Sequence, residues 1–107
     1  MTEQEQRIAI AEACGWKLVD DNTTGRNPAR SFDHYSTHGN EPIPDYLRDL
    51  NAMHFAVASQ SYEFRLAFDQ ELRATANTLG CLVCELKAAD WAACFLTIKR
   101  AGLKLNA

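Results

Sequence analysis

Cys81-Leu82-Val83-Cys84-Glu85-Leu86 is the stretch on which the fold expected of this sequence turns. The run is short, mostly apolar, and opens directly after Gly80. Its length and its glycine boundary predict a strand rather than a helix. A nearly continuous apolar strand is what a ribbon covered on both faces requires. The reading is therefore a short strand centred near Val83, clasped by helices that turn their apolar sides toward it.

The flanking segments supply such helices. Upstream, Phe64, Phe68, Leu72, Thr75 and Leu79 form one stripe over a helix from about 62 to 78. Glu63, Arg65, Asp69, Gln70 and Arg73 cover much of its other side. Downstream, a helix over about 88–101 turns Trp91, Phe95 and Ile98 inward with Cys94 beside them. Lys99 and Arg100 suit its negative end, and Gly102 is placed to cap it. Before these, Tyr46, Leu50, Met53 and Val57 mark a further helical stripe starting at Asp45, with a break at Ser59 and Ser61.

At the N-terminus, Thr2 and Glu5 have the spacing of a capping box. A helix over about 3–14 follows, Gly15 serves as its left-handed stop, and Trp16-Lys17-Leu18-Val19 reads as a short strand. Residues 20–44 differ. Asp20 to Gly25 is turn chemistry, and Pro28, Pro42 and Pro44 break regular structure. A structureless loop this long is uncommon in a compact domain. The segment either holds a hairpin strand near Ser31–Tyr35 or is a functional surface loop. Helix, strand, loop, helix, helix, strand, helix gives an α+β domain: a small layered α-β-α sandwich with few strands flanked by amphipathic helices.

The chain has 107 residues, enough for a single domain over 1–107. A chain of this size buries roughly 60–70% of the surface exposed when unfolded. A composition that is 47% hydrophobic and 23% charged suits a packed core. The formal net charge is −3, which opposes a phosphate backbone and disfavours nucleic-acid binding. Met1 to Gln6 is polar and acidic, without the basic start and apolar run of a secretory signal. No run approaches the ~18 apolar residues of a membrane span. The expected place is the cytoplasm, with Cys14, Cys81, Cys84 and Cys94 reduced and no cofactor.

Three segments carry a likeness to a known family. They are Ile8-Ala9-Ile10-Ala11-Glu12-Ala13-Cys14-Gly15-Trp16-Lys17, then Ile43-Pro44-Asp45-Tyr46-Leu47-Arg48-Asp49-Leu50-Asn51-Ala52-Met53-His54, then the closing helix with Phe95-Leu96-Thr97 and Gly102. In this order and spacing the chain resembles the phage ABA sandwich domain family, small viral or prophage proteins with an α–β–α layered fold. The likeness spans nearly the whole chain, and its middle segment is the most specific. It departs from the family at Phe55-Ala56-Val57, where acidic residues are usual, and at Trp91, where an Arg is frequent. Both changes make the surface more apolar. The resemblance implies a fold and a bacterial-host setting, not a reaction.

Four groups of residues invite a chemical reading. Cys81-x-x-Cys84 has the spacing of a metal or redox pair. On a strand, residues three apart point to opposite faces, so the simpler reading is two small core hydrophobes. Asp49, Asn51 and His54 gather at the start of a helix, where Asp49 and His54 could serve as orienter and base of a small hydrolase. The simpler reading makes Asp49 a cap and His54 a neighbour of the core. Arg26, Arg30, His34, Tyr35 and His38 in the 20–44 segment are the residue types that grip phosphate and stack a base. Trp91, Phe55 and Tyr62 could anchor a partner; Trp91 reads as core or as a seam between two copies, and Phe55 lies off the main stripe.

The expected function is a non-enzymatic accessory protein that binds and blocks a host component, with the 20–44 loop, Asn51 and Phe55 as contacts. Its rivals are sequestration of a small nucleotide at the basic, aromatic loop and a small hydrolase built on Asp49 and His54.

Overall fold

The computed structural model describes residues 2–18, 24–26 and 41–105, with Arg26 and residues 102–105 described by backbone alone. The chain is α+β: among the described residues it has four α-helices and a three-stranded antiparallel sheet. Helix α1 spans Glu3–Ala13, strand β1 Lys17–Leu18, β2 Thr24–Arg26 and β3 Glu41–Pro42. Helices α2 (Leu50–Ala58), α3 (Tyr62–Leu79) and α4 (Ala88–Leu105) complete the chain.

Local chemistry sets the helix ends. The Thr2 hydroxyl accepts from the Glu5 N–H at 3.1 Å while the Glu5 carboxylate accepts from the Thr2 N–H, closing the expected box. Gly15 takes φ 94°. Its N–H donates to the Glu12 carbonyl and the Trp16 N–H to that of Ala11, which seals the last turn of α1. Gly80, at φ 71°, ends α3 in the same way. Gly102 does not end α4; the helix continues through it to Leu105, since one helical glycine costs only about 1 kcal/mol.

The core is helix packed on helix around α4, which touches α1, α2 and α3. Its buried residues Ala88, Ala92, Cys94, Phe95 and Leu96 occupy more than half its circumference. Ile10, Met53 and Phe95, one from each of α1, α2 and α4, are fully buried. Phe68 and Leu72 of α3 close the other side, each such side chain contributing about 2 kcal/mol by burial. Phe64 packs its ring 4.9 Å from that of Phe95.

The apolar run after Gly80 is not a strand. Val83–Glu85 form a single 3-10 turn. The Glu85 carboxylate accepts from the Leu82 N–H at 3.0 Å, so the segment satisfies its backbone locally. An extended run would carry the chain about 20 Å away, whereas antiparallel helices pack only about 10 Å apart. Joining α3 to its neighbour α4 therefore demands a tight return. Of the run, only Leu86 is buried, while Leu82 is 66% exposed.

The sheet instead comes from the N-terminal half, in the order β1-β2-β3. Leu18 pairs with Gly25, and Gly25 with Glu41. The stretch read as a turn up to Gly25 thus ends in a strand. A Cβ on Gly25 would stand 2.7 Å from the Lys17 carbonyl oxygen, so glycine lets β1 and β2 close. Pro42 sits in an edge strand, the sheet position that tolerates proline. The hairpin strand expected near Ser31–Tyr35 lies outside the described residues. The helix expected from Asp45 begins later: residues 46–48 form a turn, and α2 starts at Leu50.

Candidate binding groove

Asp49 is extended, with φ −105°, and caps α2. Its Oδ1 accepts from the Asn51 and Ala52 N–H groups at 3.0 and 3.3 Å. His54 lies one turn into the helix and exposes its ring, which packs on Trp91 with centroids 4.4 Å apart. No hydrogen bond joins Asp49 to His54 among the described residues. The carboxylate and imidazole read together from sequence are thus engaged with different partners. Asn51 and Phe55 are exposed on α2, Phe55 by 78%.

The link between α2 and α3 is only residues 59–61, and Ser61 caps α3 by accepting from the Phe64 N–H at 3.2 Å. The two helices diverge from this turn and leave a groove of about 300 Å³, closed at one side by the first turns of α4. Val57, Phe68 and Leu72 line it with Trp91; His54, Arg65 and Asp69 stand around them. The Trp91 ring lies 5.3 Å from Phe68, so the indole is wedged between α2 and α3 and stays half-buried.

Three large apolar residues flank the α2–α3 turn and remain in solvent: Phe55, Tyr62 at 64% and Leu66 at 49%. A second exposed set, Leu79, Leu82 and Val83, surrounds the end of α3. The thiols divide. Cys14 and Cys94 are shielded, and burial pushes both thiols up from the ordinary range. Cys81 is half-buried, and Cys84 is exposed, so Cys84 is not the core residue expected on a strand. Among the described residues no three His, Cys, Asp or Glu side chains gather where a metal could bind. Nor is any described helix long and apolar enough to cross a membrane.

Of the loop candidates, Arg30, His34, Tyr35 and His38 lie outside the described residues, and Arg26 falls in β2 by its backbone. The groove brings in Arg65 and Asp69, which the sequence reading assigned to a solvated face. One clue was present: Arg65, Asp69 and Arg73 succeed one another at i, i+4, and a single carboxylate between two cations leaves one of them over. No protein-family model, curated protein or solved structure matches this chain.

Proposed function

We propose that this chain is a non-enzymatic accessory protein that docks on a protein of a bacterial host and blocks it. The resemblance to the phage ABA sandwich family supports a viral setting, and within it small size and acidic charge favour the countering of a host defence. The observation that carries docking is the exposure of Phe55, Tyr62 and Leu66 on either side of the link between α2 and α3. Scattered single apolar residues are ordinary on a surface. Three large ones within twelve positions are the kind of residues that protein interfaces use for anchors.

The test is capture from bacterial lysate with the wild-type chain and with Phe55→Ser. The wild type is expected to recover one protein reproducibly, and the variant to lose it while keeping its circular dichroism. Repeated failure of the wild type to retain any partner, or equal recovery by the variant, refutes the reading.

A further inference from the structure

We propose that the groove between α2, α3 and α4 receives a large apolar side chain from an acidic segment of the partner protein, with Arg65 pairing to the carboxylate beside it. The inference rests on the docking reading and names the chemistry of the partner.

The groove supplies the apolar half of the site. Val57, Phe68, Leu72 and the Trp91 indole form its walls, and its volume of about 300 Å³ suits an inserted side chain better than a large ligand. Its openness to solvent leaves room for the backbone that would carry such a side chain.

Charge supplies the other half. Asp69 Oδ2 accepts from Arg73 Nε at 3.0 Å, and the carboxylate makes no ion pair with Arg65 among the described residues. Among the described residues the Arg65 guanidinium makes no ion pair or hydrogen bond. It is left as a planar fork of donors at the edge of an apolar groove. Glu63 lies about 200° around the helix from Arg65, on its far side. A guanidinium matches a carboxylate through two parallel hydrogen bonds. One such fork balances one carboxylate, whereas a nucleotide phosphate with its greater charge normally recruits several donors. The geometry thus points to an Asp or Glu next to a Phe or Leu.

The test is titration of the full, isotope-labelled chain followed by amide NMR. The probes are an acetylated peptide Gly-Glu-Phe-Glu-Gly, the same peptide with Gln for Glu, and AMP. The acidic peptide is expected to shift His54, Val57, Arg65 and the Trp91 indole. The Gln peptide should bind about two- to fivefold more weakly, the size expected of one partly exposed charge pair. Arg65→Gln should weaken the acidic peptide by the same factor and leave the Gln peptide unchanged. Equal affinity for both peptides, shifts outside the groove, no shifts at all, or shifts with AMP in place of the peptides each overturn the proposal. A silent groove together with loss of the captured partner in Phe55→Ser would leave docking standing and remove the groove as its seat.

Discussion

The Trp91 indole and the His54 imidazole lie 4.4 Å apart between centroids, tilted by 42°, and this contact ties the first turns of α4 to the middle of α2. Trp91 also meets Phe68 on α3, so one ring holds three helices in register. Trp91→Ala should destabilise the fold by about 2–3 kcal/mol, less than for a fully buried Trp because one side faces the groove. His54→Ala, at an exposed position, should cost under about 1 kcal/mol. Urea denaturation measures both, and the reverse order would mean that the imidazole, not the indole, organises this junction.

Gly25 and Gly80 resist substitution for different reasons, and the difference is measurable. An alanine methyl at 25 meets the Lys17 carbonyl oxygen at 2.7 Å and the Leu18 side chain at 2.9 Å, so Gly25→Ala should cost about 1–3 kcal/mol and separate β1 from β2. At Gly80 nothing lies within 4 Å, and only the φ of 71° resists. Gly80→Ala should cost about 1 kcal/mol, while Gly80→Asn, which tolerates that conformation, should cost less.

Asp49 acts here as a cap. Asp49→Ala should lower stability by about 1 kcal/mol, and Asp49→Asn should recover nearly all of it, because both side chains present the accepting oxygen. A full loss in the Asn variant would show that charge, not the hydrogen bonds to Asn51 and Ala52, is what matters.

Tyr46 is buried, and desolvation raises its hydroxyl pKa, with Cys14 nearby adding to the shift. The unfolded chain releases that proton near pH 10 and the folded chain only at higher pH. Above about pH 10 the folded state holds more protons, so stability falls as pH rises through that window. Tyr46→Phe should flatten this decline, and chemical denaturation between pH 9 and 11 measures it. The shielded thiols act in the same direction: burial holds Cys14 and Cys94 protonated, so a disulfide reagent at pH 8 should label Cys84 first and these two only on unfolding.

What could be read from sequence was what is decided within a few residues. The Thr2–Glu5 box, the stops at Gly15 and Gly80, and the stripe through Phe68 and Leu72 depend on spacing alone. The run from Cys81 to Leu86 misled because its apolar content was taken as a sign of burial. Its shape is dictated instead by the distance between α3 and α4, which no local pattern encodes. The groove was hidden for a related reason. It lies between two helices joined by a three-residue link, and Arg65 is left over at its edge because Asp69 pairs with Arg73. Sequence offered both pairings, and the acid-first order of Asp69 and Arg73 is the better oriented of the two.

The position of α4 has a bearing on biosynthesis. The helix that every other helix leans on is translated after all of them. Until it emerges from the ribosome, Ile10, Met53 and Phe68 have no surface on which to close, and α2 and α3 touch each other only sparingly. A chain stopped before Ala92 and Phe95 therefore lacks the common surface on which its earlier helices close.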